Sequence, residues 1–108
     1  MDSRYSVIWS HLARMDLRNL GQRIRQDSPD NARRFLKKLR DAAATLGNFP
    51  EKLSVVPELG LPYRERLVGR YRIIYRVQDD QVIVLAVEHS ARDLLGAIGN
   101  RIQEEDAP

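Results

Sequence analysis

Two kinds of side chain in this 108-residue sequence stand out for acid–base or phosphate chemistry, its histidines and its arginines. It holds two histidines and no cysteine, which excludes a disulfide framework, a thiolate metal site and a histidine cluster around a metal. His11 falls at the start of a helical pattern and carries no functional weight. His89 ends a strand, where a lone histidine most often has a structural role. The cations are more telling. Arg64 and Arg66 lie on one expected strand, Arg72 and Arg76 on the next, and Arg92 follows His89. A guanidinium can neutralise a phosphate or grip a carboxylate through a fork of N–H donors. Such a set suits a phosphate site or a contact with an acidic partner. It equally suits a solvated sheet face with ion pairs to Glu65 and Glu88.

Alternation within Tyr71–Val77 sends Tyr71, Ile73, Tyr75 and Val77 to one face of a strand and Arg72, Ile74 and Arg76 to the other. The first set reads as core, which removes Tyr71 and Tyr75 as exposed acids. The second set, with Arg64 and Arg66, is expected to form a basic patch on an open sheet face. The chain has 18 Lys and Arg against 15 Asp and Glu, a formal charge of +3, and a pI near 9.6. That balance attracts acidic partners without choosing among nucleic acid, an anionic membrane and an acidic protein tail.

Elements must position these groups. Tyr5-Ser6-Val7-Ile8-Trp9 reads as a short strand, after which Ser10 caps a helix whose apolar stripe is Ala13, Leu17, Leu20 and Ile24. Asp27-Ser28-Pro29 makes a tight turn into a second helix. Ser28 caps it, Pro29 takes its first position, and Ala32, Phe35, Leu36, Leu39, Ala42, Ala43 and Leu46 line its inner face. Gly47-Asn48 reads as a left-handed stop before Pro50. A loop anchored by Phe49, Val55, Val56 and Leu59 leads to a β-meander. Its strands are Arg64 to Val68, Tyr71 to Val77 and Gln81 to Glu88, and its turns Gly69-Arg70 and Asp79-Asp80. The apolar run Val82 to Val87 predicts a central strand covered on both faces. Ser90-Ala91-Arg92-Asp93 opens a last helix, about residues 91–103, followed by a tail at 104–108. The expected fold is one α+β domain over residues 1–108, β-α-α-β-β-β-α, a helical hairpin packed on a small antiparallel sheet. No apolar run suits a secretory signal or a membrane span, so a cytoplasmic protein is expected.

That order and several local strings resemble the ParE/RelE toxin superfamily of type II toxin–antitoxin systems. The strings are Tyr5 to Ser10, Asp27-Ser28-Pro29, Phe49-Pro50-Glu51, Val56-Pro57-Glu58-Leu59, Arg64 to Val68, Gly69 to Val77, and His89 to Asp93. The resemblance implies a toxin held silent by the flexible C-terminal part of a cognate antitoxin. It also divides by mechanism. RelE-like members cleave mRNA on the ribosome, whereas ParE-like members inhibit DNA gyrase without a known hydrolytic site.

Cleavage of RNA through its own 2′-hydroxyl needs a base, charge stabilisation at the phosphate and an acid for the leaving oxygen. Arg72 matches the superfamily's middle-strand arginine, and His89 is the other catalytic candidate under a nuclease reading. Lys52 stands alone in a loop where the nucleases carry a basic cluster. The chain ends its last strand with Glu88-His89-Ser90-Ala91-Arg92 and lacks the His-Tyr or Tyr ending of the nucleases. The resemblance therefore points to the ParE-like branch: no catalytic residues, a ParD-like antitoxin with an acidic C-terminal segment, and gyrase as target. Arg64, Arg66, Arg72, Arg76 and Arg92 are the expected contacts for antitoxin or target. No cofactor, metal, membrane or direct nucleic-acid partner is expected. The alternatives are a RelE-like ribosome-dependent mRNA endonuclease and an inactive member that only binds antitoxin.

Overall fold

Ser10 and Ser28 start the two long helices in the same way. Each hydroxyl accepts a backbone N–H three residues on, from Ala13 at 3.1 Å and from Asn31 at 3.2 Å, satisfying amides that a first turn leaves unpaired. The computed structural model describes residues 5–106, so residues 1–4 and the last two positions of the expected tail, 107–108, lie outside it. Strand β1 (Ser6–Trp9) leads into helix α1 (His11–Asp27), and α2 (Pro29–Ala44) follows at once. Ser28 also closes α1, donating its N–H to Ile24 O at 2.9 Å. One residue thus ends one helix and begins the next. Ala13, Leu17, Leu20, Leu36, Leu39, Ala42 and Ala43 are buried between this hairpin and the sheet, with Ile24 and Phe35 packed at the rim.

The left-handed stop expected at Gly47-Asn48 does not form there. The end of α2 tightens into a 3₁₀ turn at Thr45–Gly47, and the left-handed residue is Phe49, at φ 54 and ψ 55. Gly47 is required for a different reason. A Cβ on it would lie 2.4 Å from Tyr5 O, and Tyr5 N donates to Gly47 O at 2.8 Å. Phe49 is also no buried anchor of its loop, being 54% exposed, whereas Val56 is fully buried.

Strands β2 (Tyr63–Val68), β3 (Tyr71–Gln78) and β4 (Gln81–His89) form the expected antiparallel meander, turning at Gly69, whose φ of 57 suits glycine, and at Asp79-Asp80. The sheet order is β1-β4-β3-β2, and β1 pairs parallel with β4. The four-stranded sheet is therefore mixed: the helical hairpin serves as the crossover that a parallel pair requires. A bulge opposite Ile74/Tyr75 inserts one residue into β4, so Ile74 pairs Ala86 while Tyr75 pairs Val84. The phase shift lets Val84 and Val87 both face the hairpin, which accounts for the unbroken apolar run. The Asp16 carboxylate reaches from α1 to accept the Val87 N–H at 2.8 Å.

The second face of the sheet is not open. Helix α3 (Leu94–Asp106) lies over it, placing Leu94, Ile98 and Ile102 on Val56, Ile74 and Ala86. This helix begins at Leu94 rather than near 91. Residues 90–93 form a turn, and Asp93 O accepts the first helical bond, from Ala97 N at 2.9 Å.

Candidate functional site

The register of β2 on β3 separates the arginines. Arg64 pairs Tyr75 and Arg66 pairs Ile73, whereas Arg72 pairs Leu67 and Arg76 pairs Tyr63. Directly opposed residues share a face, so Arg64 and Arg66 point to the hairpin side and Arg72 and Arg76 to the α3 side. The single basic patch expected of the four does not exist. The Gly69-Arg70 turn already carried this result, because a two-residue turn makes Val68 face Tyr71 and fixes every pair beyond. Arg64 donates to Leu53 O at 2.7 Å, and the Nε of Arg66 is buried without a hydrogen-bond partner. Burial pushes the nearby Tyr75 hydroxyl up to about 12, partly offset by Arg64 and Arg66. That hydroxyl donates to Pro50 O at 2.6 Å inside the core. Arg76 is half-buried and reaches Gln78 Oε1 at 2.6 Å.

Arg72 is spoken for. Its side chain is 7% exposed and holds both oxygens of Glu58 at 2.7 Å and Oε1 of Glu65 at 2.7 Å. The hydrogen bonds to Arg72 draw the Glu58 carboxyl down to about 2, and the two carboxylates hold Arg72 above the usual arginine range. Glu65 was an expected partner; Glu58, from the loop, takes the place expected of Glu88. Glu88 instead meets Arg92 at 3.4 Å, and the Arg92 side chain is 61% exposed.

His89 occupies the other face. It pairs Tyr71, packs edge-on against that ring with centroids 5.1 Å apart, and accepts the Ala91 N–H at Nδ1 at 3.0 Å. Around it is a groove of about 600 Å³ whose charges oppose one another, Arg23 and Arg92 against Asp16 and Glu88. The two catalytic candidates, Arg72 and His89, thus stand on opposite sides of the sheet. Among the described residues, no group of three or more His, Asp or Glu side chains is placed to hold a metal ion, and no helix is long and apolar enough to cross a membrane.

Another concavity lies along the hairpin. A groove of about 750 Å³ is floored by Trp9, Leu17 and Leu36 and rimmed by Arg14, Arg18, Arg25 and Arg40, with Gln22 and, among the described residues, no acidic one. Arg14 also donates to Trp9 O at 3.0 Å. The spacing of Arg14, Arg18 and Arg25 keeps them on one side of a helix, a signal that reading α1 for its buried stripe alone passes over. The basic run on α2 is partly neutralised by exposed pairs, Arg33 with Asp30 and Lys37 with Asp41.

Known proteins carry the same architecture. A ParDE toxin–antitoxin system from P. aeruginosa superposes with a TM-score of 0.71 at 14% identity, over 82% of this chain and 98% of that one. The RelBE2 toxin–antitoxin complex of Mycobacterium tuberculosis superposes with a TM-score of 0.60 at 27% identity, over 85% of this chain and 98% of that one. No curated protein sequence matches. The family described as the ParE toxin of the type II toxin–antitoxin system, parDE, matches residues 7–94. The chain belongs to the ParE toxin family.

Proposed function

We propose that this toxin arrests growth by binding DNA gyrase, without hydrolytic chemistry, and is neutralised by an acidic, amphipathic antitoxin segment. The observation that carries the non-nuclease reading is the separation of Arg72 from His89. A phosphate between them would have to contact both faces of one sheet, and Arg72 already has a carboxylate on each side of its fork. Three of its five N–H donors are already committed, and two carboxylates neutralise the charge that a developing phosphorane would need.

The arginine-rimmed groove supports the antitoxin half of the reading. An apolar floor under four cations fits an amphipathic helix or strand with carboxylates along its edges, and the similar solved structures are themselves toxin–antitoxin systems. In the cell such a pair would operate in the cytoplasm.

Incubating the purified toxin with gyrase and relaxed plasmid is the test. Inhibited supercoiling, relieved by antitoxin, is expected. A translating extract that instead yields ribosome-dependent mRNA cuts by primer extension would restore the nuclease reading. Inactivity in both, with antitoxin still bound, would identify an inactive antitoxin-binding member.

A further inference from the structure

Phe49 has the least comfortable position in the described fold. Its backbone is left-handed, at φ 54 and ψ 55, where glycine and asparagine sit readily and a bulky aromatic seldom does. Its ring is also 54% exposed. The surroundings lock both features in place. Gly47 lies tight against the Tyr5 carbonyl, and buried Pro50 is tied to the core through the 2.6 Å bond from the Tyr75 hydroxyl. Lys52 N donates to Phe49 O at 3.1 Å, and Lys52 Nζ stands 4.7 Å from the ring centroid. A cleft of about 190 Å³ lies beside the ring, formed with Tyr5, Pro50, Glu51 and Lys52.

Folding alone does not ask for phenylalanine here. Glycine or asparagine would make the same turn with less strain and no exposed ring. Strained backbone persists where its surroundings over-determine it, and it clusters at functional sites. A rigid, exposed aromatic is the usual anchor of a protein contact. The cleft shares no lining residue with the arginine-rimmed groove, so an antitoxin seated there leaves this corner free.

We infer that the Phe49–Lys52 knuckle is the contact by which the toxin grips its target protein. The ring enters an apolar pocket on that protein, and Lys52 meets a carboxylate at the pocket's rim. This rests on the reading above, that the toxin acts by binding a protein. Stacking on nucleobases is the weaker fit, because such platforms line several aromatics along a basic track. Here one exposed ring, Phe49, and the half-buried Tyr5 share the cleft with a single cation, Lys52, and the acidic Glu51.

The test compares the full chain with F49G and F49N, both of which relieve the backbone and should fold. Thermal melts at or above wild type and antitoxin affinity within about twofold are expected. The concentration giving half-inhibition of purified gyrase should rise roughly 30-fold, the scale of a hot-spot residue. Growth arrest on antitoxin withdrawal should weaken in parallel. If the wild type leaves gyrase untouched but growth arrest still needs Phe49, the knuckle stands and the gyrase reading falls. Growth arrest undiminished in F49G and F49N, or absent in the wild type, overturns the inference. So does Phe49-dependent binding of the wild type to single-stranded RNA or DNA oligonucleotides.

Discussion

Replacing Arg72 with methionine would leave Glu65, whose side chain is 11% exposed, without its countercharge. Breaking a buried pair from one side costs about 3–5 kcal/mol, and chemical denaturation should show a loss of that size. Glu58 sets a pH dependence. Its folded value near 2 lies below the ordinary 4.5, so the stabilisation is complete above the unfolded value and fades as pH falls towards 2. Solvent reaches this carboxylate, which keeps the effect to the order of 1 kcal/mol. Melts at pH 6, 4 and 3 should show the decline, and Glu58→Gln should flatten it. His89→Ala should leave toxicity largely intact, because its ring and Nδ1 serve the end of β4. A general acid or base would cost roughly 100- to 10,000-fold when removed, so a fall of that size in growth-arrest potency with an unchanged melt would restore a catalytic role. At this scale the sequence offered the residue types and Glu65 as a partner of Arg72, but not Glu58. Glu58 lies fourteen positions before Arg72 in a loop without periodicity, and no local pattern joins the two.

Elements were far more legible, since caps and apolar spacing are local. Ser10, Ser28 and Pro29 mark helix starts by their own chemistry, and the stripe of α2 is visible from Ala32 to Ala43. Leu39 is fully buried on that stripe. Leu39→Asp would place an unpaired charge there and cost several kcal/mol out of the roughly 5–15 kcal/mol a domain possesses. A cooperative melt within a few degrees of wild type would contradict this burial. The seat of α3 was harder to read. Leu94, Ile98 and Ile102 announce an apolar face, but which side of the sheet it covers depends on contacts distant in sequence. The same holds for Phe49: local preference points to Gly47-Asn48 for the left-handed residue, and the approach of Tyr5 overrides it.

At the scale of the whole molecule, the net charge of +3 says little, whereas its uneven placement says more. Among the described residues, cations rim the hairpin groove without acids, while the groove at His89 is balanced. Charges at a rim chiefly steer encounter, and apolar anchors hold the complex once formed. Arg18→Ala with Arg25→Ala should therefore slow antitoxin association several-fold at low salt and flatten its salt dependence, with a smaller change in dissociation. Trp9→Ala should do the reverse. Stopped-flow binding at two ionic strengths separates these outcomes, and unchanged rates in both variants would place the antitoxin elsewhere. The order of elements and the family were readable from the chain because its strings and turns recur in sequence. The groove was less so, since its floor and rim come from β1, α1 and α2 together.

The parallel pairing of β1 with β4 has a consequence in time. Ser6 lies opposite Gln81, so the first strand made waits for the last. At about 5–20 residues per second of synthesis, on the order of 10 s separate them at the ribosome. Until β4 emerges the sheet lacks the strand that joins β1 to β3, and the helical hairpin has no complete surface to rest on.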